Sequence, residues 1–206
     1  MKTMLNPLLA RAAAALLALA APAFAGTILI DPGHGGKDPG GSAEQLKESE
    51  WAISFAKALE TELKAQGHIV ILTRTEDQFL PLKDREALVH QAKADVVLGI
   101  HLSSSKNSSD HGIRIYRCPR AELADLSPKE NELAEQIGKA FSAELSAKPV
   151  VSNGHLGRAF LGNKGALLLE LGYLSNSDDL KNIRSPEYQR ELIKALSGAV
   201  TGVLAQ

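Results

Sequence analysis

Ile28-Leu29-Ile30 is an apolar run that stops abruptly at Asp31-Pro32-Gly33. A short run of β-branched and apolar residues ending in Pro and Gly reads as a buried strand entering a tight turn. Asp95–His101 and Ala166–Gly172 are further apolar runs that read as buried strands. Strands that are apolar on both faces are those of a sheet covered by helices on both sides. Between them lie helical patterns. Trp51, Ile53, Phe55, Ala56, Leu59 and Leu63 form one stripe, and Gly67 ends it. Asp84–Lys93 forms a second helix, Pro128 to Ala147 a third, and Pro186 onward a last one that buries Leu192, Ile193, Leu196, Val200 and Val203. Residues 68–74 read as a further strand. Residues 112–117 alternate, as an edge or half-exposed strand does. Residues 148–164 read mostly as loop, with a short strand at 158–161. Alternation of strand and helix predicts an α/β fold: a three-layer sandwich, its mixed, mainly parallel sheet carrying helices on both faces.

The first 25 residues read as a secretory signal peptide rather than as part of this fold. Lys2 and Arg11 are the only charges before Gly26, Ala12–Ala20 is an apolar core, and Ala23-Phe24-Ala25 is a cleavage signature. The core is too short for a membrane span of about 20 residues. The expectation is an exported protein, in the periplasm, cell wall or medium, not inserted in a membrane after cleavage. Without the leader, 23 basic residues become 21 against 24 acidic, a net charge of −3. That balance, with 4% aromatic residues, offers no nucleic-acid footprint. Cys118 is the one cysteine, so an intramolecular disulfide is excluded. Residues 26–206 have the length of a single domain with its own core.

Three of the apolar strands carry a polar group at or near the end. The first delivers His34 within the glycine loop, the second ends on His101, and the third holds Glu170 among leucines. A charge inside an apolar strand is costly unless it is paired or used. Glu48 opens the first helix just after the glycine loop. If the strands are parallel, His34, Glu48, His101 and Glu170 meet at one sheet edge. Two imidazoles and a carboxylate form a catalytic zinc set with one position left for water, and Glu170 is then the general base. Blander readings stand beside this one. Glu48 also suits the first turn of a helix. His101 also reads as a hydrogen-bonded core histidine, and Glu170 as the partner of Arg74 or Arg85. Asp31 is either a carboxylate that holds a ligand histidine through its free nitrogen or a turn cap. Lys37, Asp38, Arg74 and Arg85 are either ion-paired or in contact with a peptide carboxylate, with a structural role favoured for the two arginines. His68, His90, His111 and His155 read as surface residues.

Asp31-Pro-Gly-His-Gly-Gly-Lys-Asp-Pro-Gly40, Leu46-Lys-Glu48, Leu72-Thr-Arg74, Gly99-Ile-His101 and Leu169-Glu-Leu-Gly-Tyr-Leu-Ser-Asn176 occur in that order. Together they closely resemble the zinc-dependent N-acetylmuramoyl-L-alanine amidases of bacterial cell-wall turnover, from Thr27 to about Val203. The resemblance implies zinc on His34, Glu48 and His101, with Glu170 catalytic. It implies hydrolysis of the amide between N-acetylmuramic acid and L-alanine in peptidoglycan. A zinc peptidase acting on stem peptides is the alternative, since the same site chemistry serves either amide. The family usually follows the strand-end histidine with Ala-Asn, where this chain has Leu102-Ser103. Some division amidases of the family carry a helix that plugs the zinc and is withdrawn by an activator. Here residues 119–127 and 148–164 lack the length and apolar periodicity for such a helix. The expectations are an open groove, no need for an activator protein, and a monomer.

Overall fold

In the computed structural model, residues 25–117, 128–154 and 165–206 are described. The strands are β1 (Thr27–Pro32), β2 (Ser42–Ala43), β3 (Leu46–Lys47), β4 (Ile69–Leu72), β5 (Val96–Ser103), β6 (Arg114–Arg117), β7 (Val150–Asn153) and β8 (Ala166–Tyr173). The helices are α1 (Glu48–Ala65), α2 (Leu82–Ala92), α3 (Pro128–Leu145), α4 (Ser177–Arg184) and α5 (Pro186–Leu204). Six strands form one sheet in the order β4-β1-β5-β8-β6-β7, while β2 and β3 make a small hairpin that delivers the chain into α1. Strands β4, β1, β5 and β8 are mutually parallel; β6 pairs antiparallel with β8, and β7 parallel with β6.

Alternate residues of the central strands feed two apolar layers. Ile28, Ile30, Leu98, Ile100, Leu167 and Leu169 face one side, where Phe55 and Leu59 of α1, Ile137 and Phe141 of α3 and Leu196 and Val200 of α5 cover them. Leu29, Val97 and Ala166 face the other, against Val89 of α2. The strands are apolar on both faces wherever helices cover both sides, as the three-layer expectation requires. Ser185 caps α5, its hydroxyl accepting from the Tyr188 N–H, and Pro186 takes the first helical position. Among the described residues no helix is long and apolar enough to cross a membrane.

Two expectations fail here, and one helix was not expected. Residues 150–153 form a strand, not a loop, and this β7 is the sheet edge beyond β6, which is half-exposed rather than an edge. Val150 and Val151 are exposed, so four residues on an edge show no inward periodicity. Helix α4 also escaped the sequence reading. Its residues are mostly polar and only Leu180 and Ile183 are buried, although Asn176 accepts from the Asp178 and Asp179 N–H groups as an ordinary N-cap. Finally, His68 is buried: its Nδ1 accepts from the Gly26 N–H, and its Nε2 lies 2.9 Å from the Thr201 hydroxyl. A polar ring between a strand start and α5 is satisfied by two partners that are remote in sequence. His90 and His111 are exposed as expected. Cys118, His155, the expected strand at 158–161 and the stretch 119–127 lie outside the described residues.

Candidate metal and catalytic site

The carboxyl end of β1 opens into a loop closed on itself by reciprocal bonds between Gly35 and Asp38, at 2.8 and 3.1 Å. His34 adopts a left-handed conformation, φ 56°. Two buried arginines hold it there through the backbone. Arg74 donates to the carbonyls of Pro32, Gly33 and Ser49, at 3.1, 2.7 and 2.9 Å. Arg85 donates to the Pro32 carbonyl at 2.7 Å and also to the His34 carbonyl. Both arginines are structural, and neither pairs with Glu170.

Asp31 does not hold a ligand histidine. It is buried and bonded to the Thr73 hydroxyl and, at 2.7 Å, to Arg85. Its side chain points from β1 towards α2, into the layer occupied by Arg85. The carboxylate that orients His34 is Asp38, whose Oδ2 lies 3.0 Å from the ring Nδ1. The i, i+4 spacing within the glycine loop was the signal for this contact. The His34 hydrogen bond keeps the Asp38 carboxyl below its ordinary range.

Glu48 reaches the same place from the first residue of α1. It is 4% exposed, so it is no solvated first-turn acid. Its Oε1 lies 2.9 Å from His101 Nδ1 and 3.2 Å from His34 Nε2, and accepts the Leu102 N–H at 3.0 Å. Its Oε2 accepts the Gly41 N–H at 2.9 Å. Burial would raise this carboxyl, but the bonds from His101 and His34 outweigh it and hold the group well below the usual range. The Glu48 contact likewise raises His34 to about 9. A buried carboxylate gripped by two imidazoles thus demands a cation among them, whether protons or a metal.

One donor atom each from His34, Glu48 and His101 lies within 4.8 Å of the others. The two rings meet edge-on, with centroids 5.2 Å apart. Two glycines make room for them. A Cβ at Gly33 would sit 2.3 Å from His101 Cε1, and one at Gly40 2.5 Å from His34 Cδ2 and 2.6 Å from Glu48 Oε2. Nitrogen, nitrogen and carboxylate oxygen are the donors a borderline cation such as zinc takes in a three-ligand site. The residues present fit a metal ion.

Glu170 sits directly across the ladder from His101, and Arg114 directly across from Glu170. Opposed residues share a face, so a row of three side chains runs over β5, β8 and β6. Tyr116 Oη donates to Glu170 Oε2 at 3.3 Å. Burial, and then the charge of Glu170, push the Tyr116 phenol up. Beside the histidines lies a groove of about 430 Å³, walled by Phe79, Leu80, Leu82 and Leu168. The structure groups His34, Glu48 and His101 and places Glu170 beside them on the next strand. Tyr116 and Arg114 were not expected there, because alternation in β6 marks a strand but not its neighbour.

Residues 28–202 match the family model described as N-acetylmuramoyl-L-alanine amidase. The chain is 30% identical over 179 residues to N-acetylmuramoyl-L-alanine amidase LytC of Bacillus subtilis, covering 85% of this chain and 35% of that one. It spans about a third to a half of the length of the curated relatives it matches. An N-acetylmuramoyl-L-alanine amidase structure from Clostridium difficile 630 superposes with a TM-score of 0.76 at 29% identity, over 87% of this chain and 97% of that one. The CwlD amidase of Clostridioides difficile, in complex with the GerS lipoprotein, shares the fold with a TM-score of 0.78 at 23% identity, over 87% and 98% of the two chains.

Proposed function

This chain belongs to the N-acetylmuramoyl-L-alanine amidase family, and from that premise we propose that it is a zinc-dependent amidase of peptidoglycan. It hydrolyses the amide joining the lactyl group of N-acetylmuramic acid to the L-alanine of the stem peptide. The observation that carries the reading is the row His101–Glu170 on adjacent strands, with His34 and Glu48 closing on His101 from the loop and α1. His34, Glu48 and His101 would hold the ion, and Asp38 fixes the His34 ring through Nδ1. Zinc held there would polarise the amide carbonyl and lower the pKa of bound water to about 7. Glu170 takes the proton of the attacking water and delivers it to the departing amine nitrogen. Tyr116 holds one Glu170 oxygen and so limits the directions the carboxylate can take. Residues 1–25 direct export to the periplasm or cell wall, and residues 26–206 are the catalytic domain. The domain acts as a monomer and needs no activator.

The test is to incubate residues 26–206 with purified peptidoglycan and zinc, and to identify the products by mass spectrometry. Release of intact stem peptides with a free L-alanine amine supports the reading, and chelation should abolish it. Peptide fragments with the muramoyl-alanine bond intact would point to a stem-peptide peptidase instead. Activity that is negligible alone and rises sharply when residues 119–127 are removed would overturn the open-groove reading.

A further inference from the structure

Arg114 is the cation left without a carboxylate beside the proposed base. Its backbone pairs with that of Glu170, and its side chain shares the Glu170 face of the sheet. Yet it forms no ion pair with Glu170 or with any other carboxylate among the described residues. Tyr173 holds it instead. The guanidinium lies over the Tyr173 ring, 5.4 Å from the centroid, and Nε donates to the Tyr173 hydroxyl. Tyr173 can do this because Gly172, at φ 142°, shifts the register of β8 against β5 between His101 and Ser103. Stacking and the Nε bond fix the plane of the guanidinium. They leave the terminal nitrogens, the pair that meets a carboxylate side by side, without a partner among the described residues. The helices packed on β6 and β8, α3 and α4, bury their apolar residues in the opposite layer. The fork therefore lies on the same face as the catalytic row.

Strand order gives the direction of the substrate. Across the sheet come β1 with the His34 loop, β5 with His101, β8 with Glu170 and β6 with Arg114. Neighbouring strands are about 4.8 Å apart, which puts the Arg114 strand about 10 Å from the His101 strand. In the amidase reading Glu170 protonates the leaving amine, so the amine-bearing product extends past Glu170 over β6. The muramoyl side then faces the apolar wall of Phe79 and Leu82. One residue of extended peptide covers about 3.5 Å, so Arg114 comes within side-chain reach of the residue following L-alanine.

We propose that Arg114, held by Tyr173, is a specificity-determining residue that binds a free carboxylate on the stem-peptide residue next to L-alanine. The inference rests on the amidase reading above. A carboxamide at that position offers one acceptor and no charge, and pairs poorly with the fork.

The experiment uses two muramoyl dipeptides that differ only in whether the second residue bears a free carboxylate or a carboxamide. The protein should favour the carboxylate substrate by roughly 10- to 100-fold in kcat/KM, the weight of a charge-assisted hydrogen-bonded pair. Arg114→Gln should collapse that ratio towards one, mainly through KM. Arg114→Lys should retain part of it, since it keeps charge without the fork. Tyr173→Phe should weaken it by freeing the guanidinium. Zinc content and thermal unfolding, measured on each variant, separate this effect from misfolding; if Arg114→Gln does not fold, the Lys and Phe variants decide. A wild-type protein indifferent to the two substrates, or an Arg114→Gln variant that loses both equally and keeps the ratio, overturns the proposal while leaving the amidase reading intact. Failure of the wild type to cleave either dipeptide or whole peptidoglycan overturns both.

Discussion

Gly33→Ala places a single methyl group against the proposed metal site. The added Cβ would lie 2.3 Å from His101 Cε1, 2.5 Å from Nδ1 and 2.8 Å from Nε2. Carbon atoms rest at about 3.5 Å or more, so the ring must retreat by about 1.2 Å. It cannot simply rotate aside, because Nδ1 is bound to Glu48 at 2.9 Å and that carboxylate is itself fixed by the Gly41 and Leu102 N–H groups. The backbone is also pinned, since the Gly33 N–H donates to the Ile100 carbonyl at 2.9 Å and its own carbonyl accepts from Arg74. Metal ligands tolerate displacements of about 0.2 Å. A shift several times larger should weaken zinc binding by roughly 100-fold, and misplacement of about 1 Å should cost a similar factor in kcat. Competition with a chromophoric chelator measures the first, and peptide release the second. Gly198→Ala is the matched control. That position is an exposed residue of α5 with nothing within 4 Å of the added Cβ. It should leave zinc affinity alone and raise stability by about 1 kcal/mol, the helix preference of Ala over Gly. Wild-type zinc affinity in Gly33→Ala would refute the view that His101 is a ligand held by steric fit.

The proposed roles of the two glutamates separate on substitution. Glu170→Gln should retain zinc and lose activity by about 10²-fold or more, whereas Glu48→Gln should lose zinc itself; metal analysis and turnover on the same samples tell them apart. Arg85→Met leaves Asp31 charged, buried and without its cation, and should destabilise the fold by about 3–5 kcal/mol in urea unfolding. Asp38→Asn should weaken zinc about tenfold by loosening His34, with little effect on unfolding, because Asp38 is half exposed. His68 is pushed below its ordinary value of 6.5 by burial. Its neutral form is the folded form, so stability should be full above 6.5 and fall as pH drops from there towards the lowered folded value. His68→Gln should flatten that part of the melting profile.

The central strands, the helices α1, α2, α3 and α5, and the candidacy of His34, Glu48, His101 and Glu170 were legible in the chain alone. These are residues whose neighbours advertise them. An apolar run before His101, and leucines on both sides of Glu170, leave a polar group no ordinary reason to be there, and Pro32-Gly33 marks where β1 must turn. What the sequence could not express is which atom meets which. Asp31 and Asp38 are equally plausible partners for His34 along the chain, seven residues apart. The pleat sends Asp31 towards Arg85, and the closed glycine loop brings Asp38 back to the ring. His68 looks like a surface residue until α5, more than a hundred residues later, supplies Thr201. Strand β7 has too few residues and too little burial to carry a period, so only its pairing with β6 defines it. Arg114 faces Glu170 because β6 runs antiparallel to β8 in one register; a slip of one residue would turn it to the opposite layer. Local pattern fixes what each segment can become. Side-chain direction across strands depends on register and strand order, which exist only once the sheet is assembled.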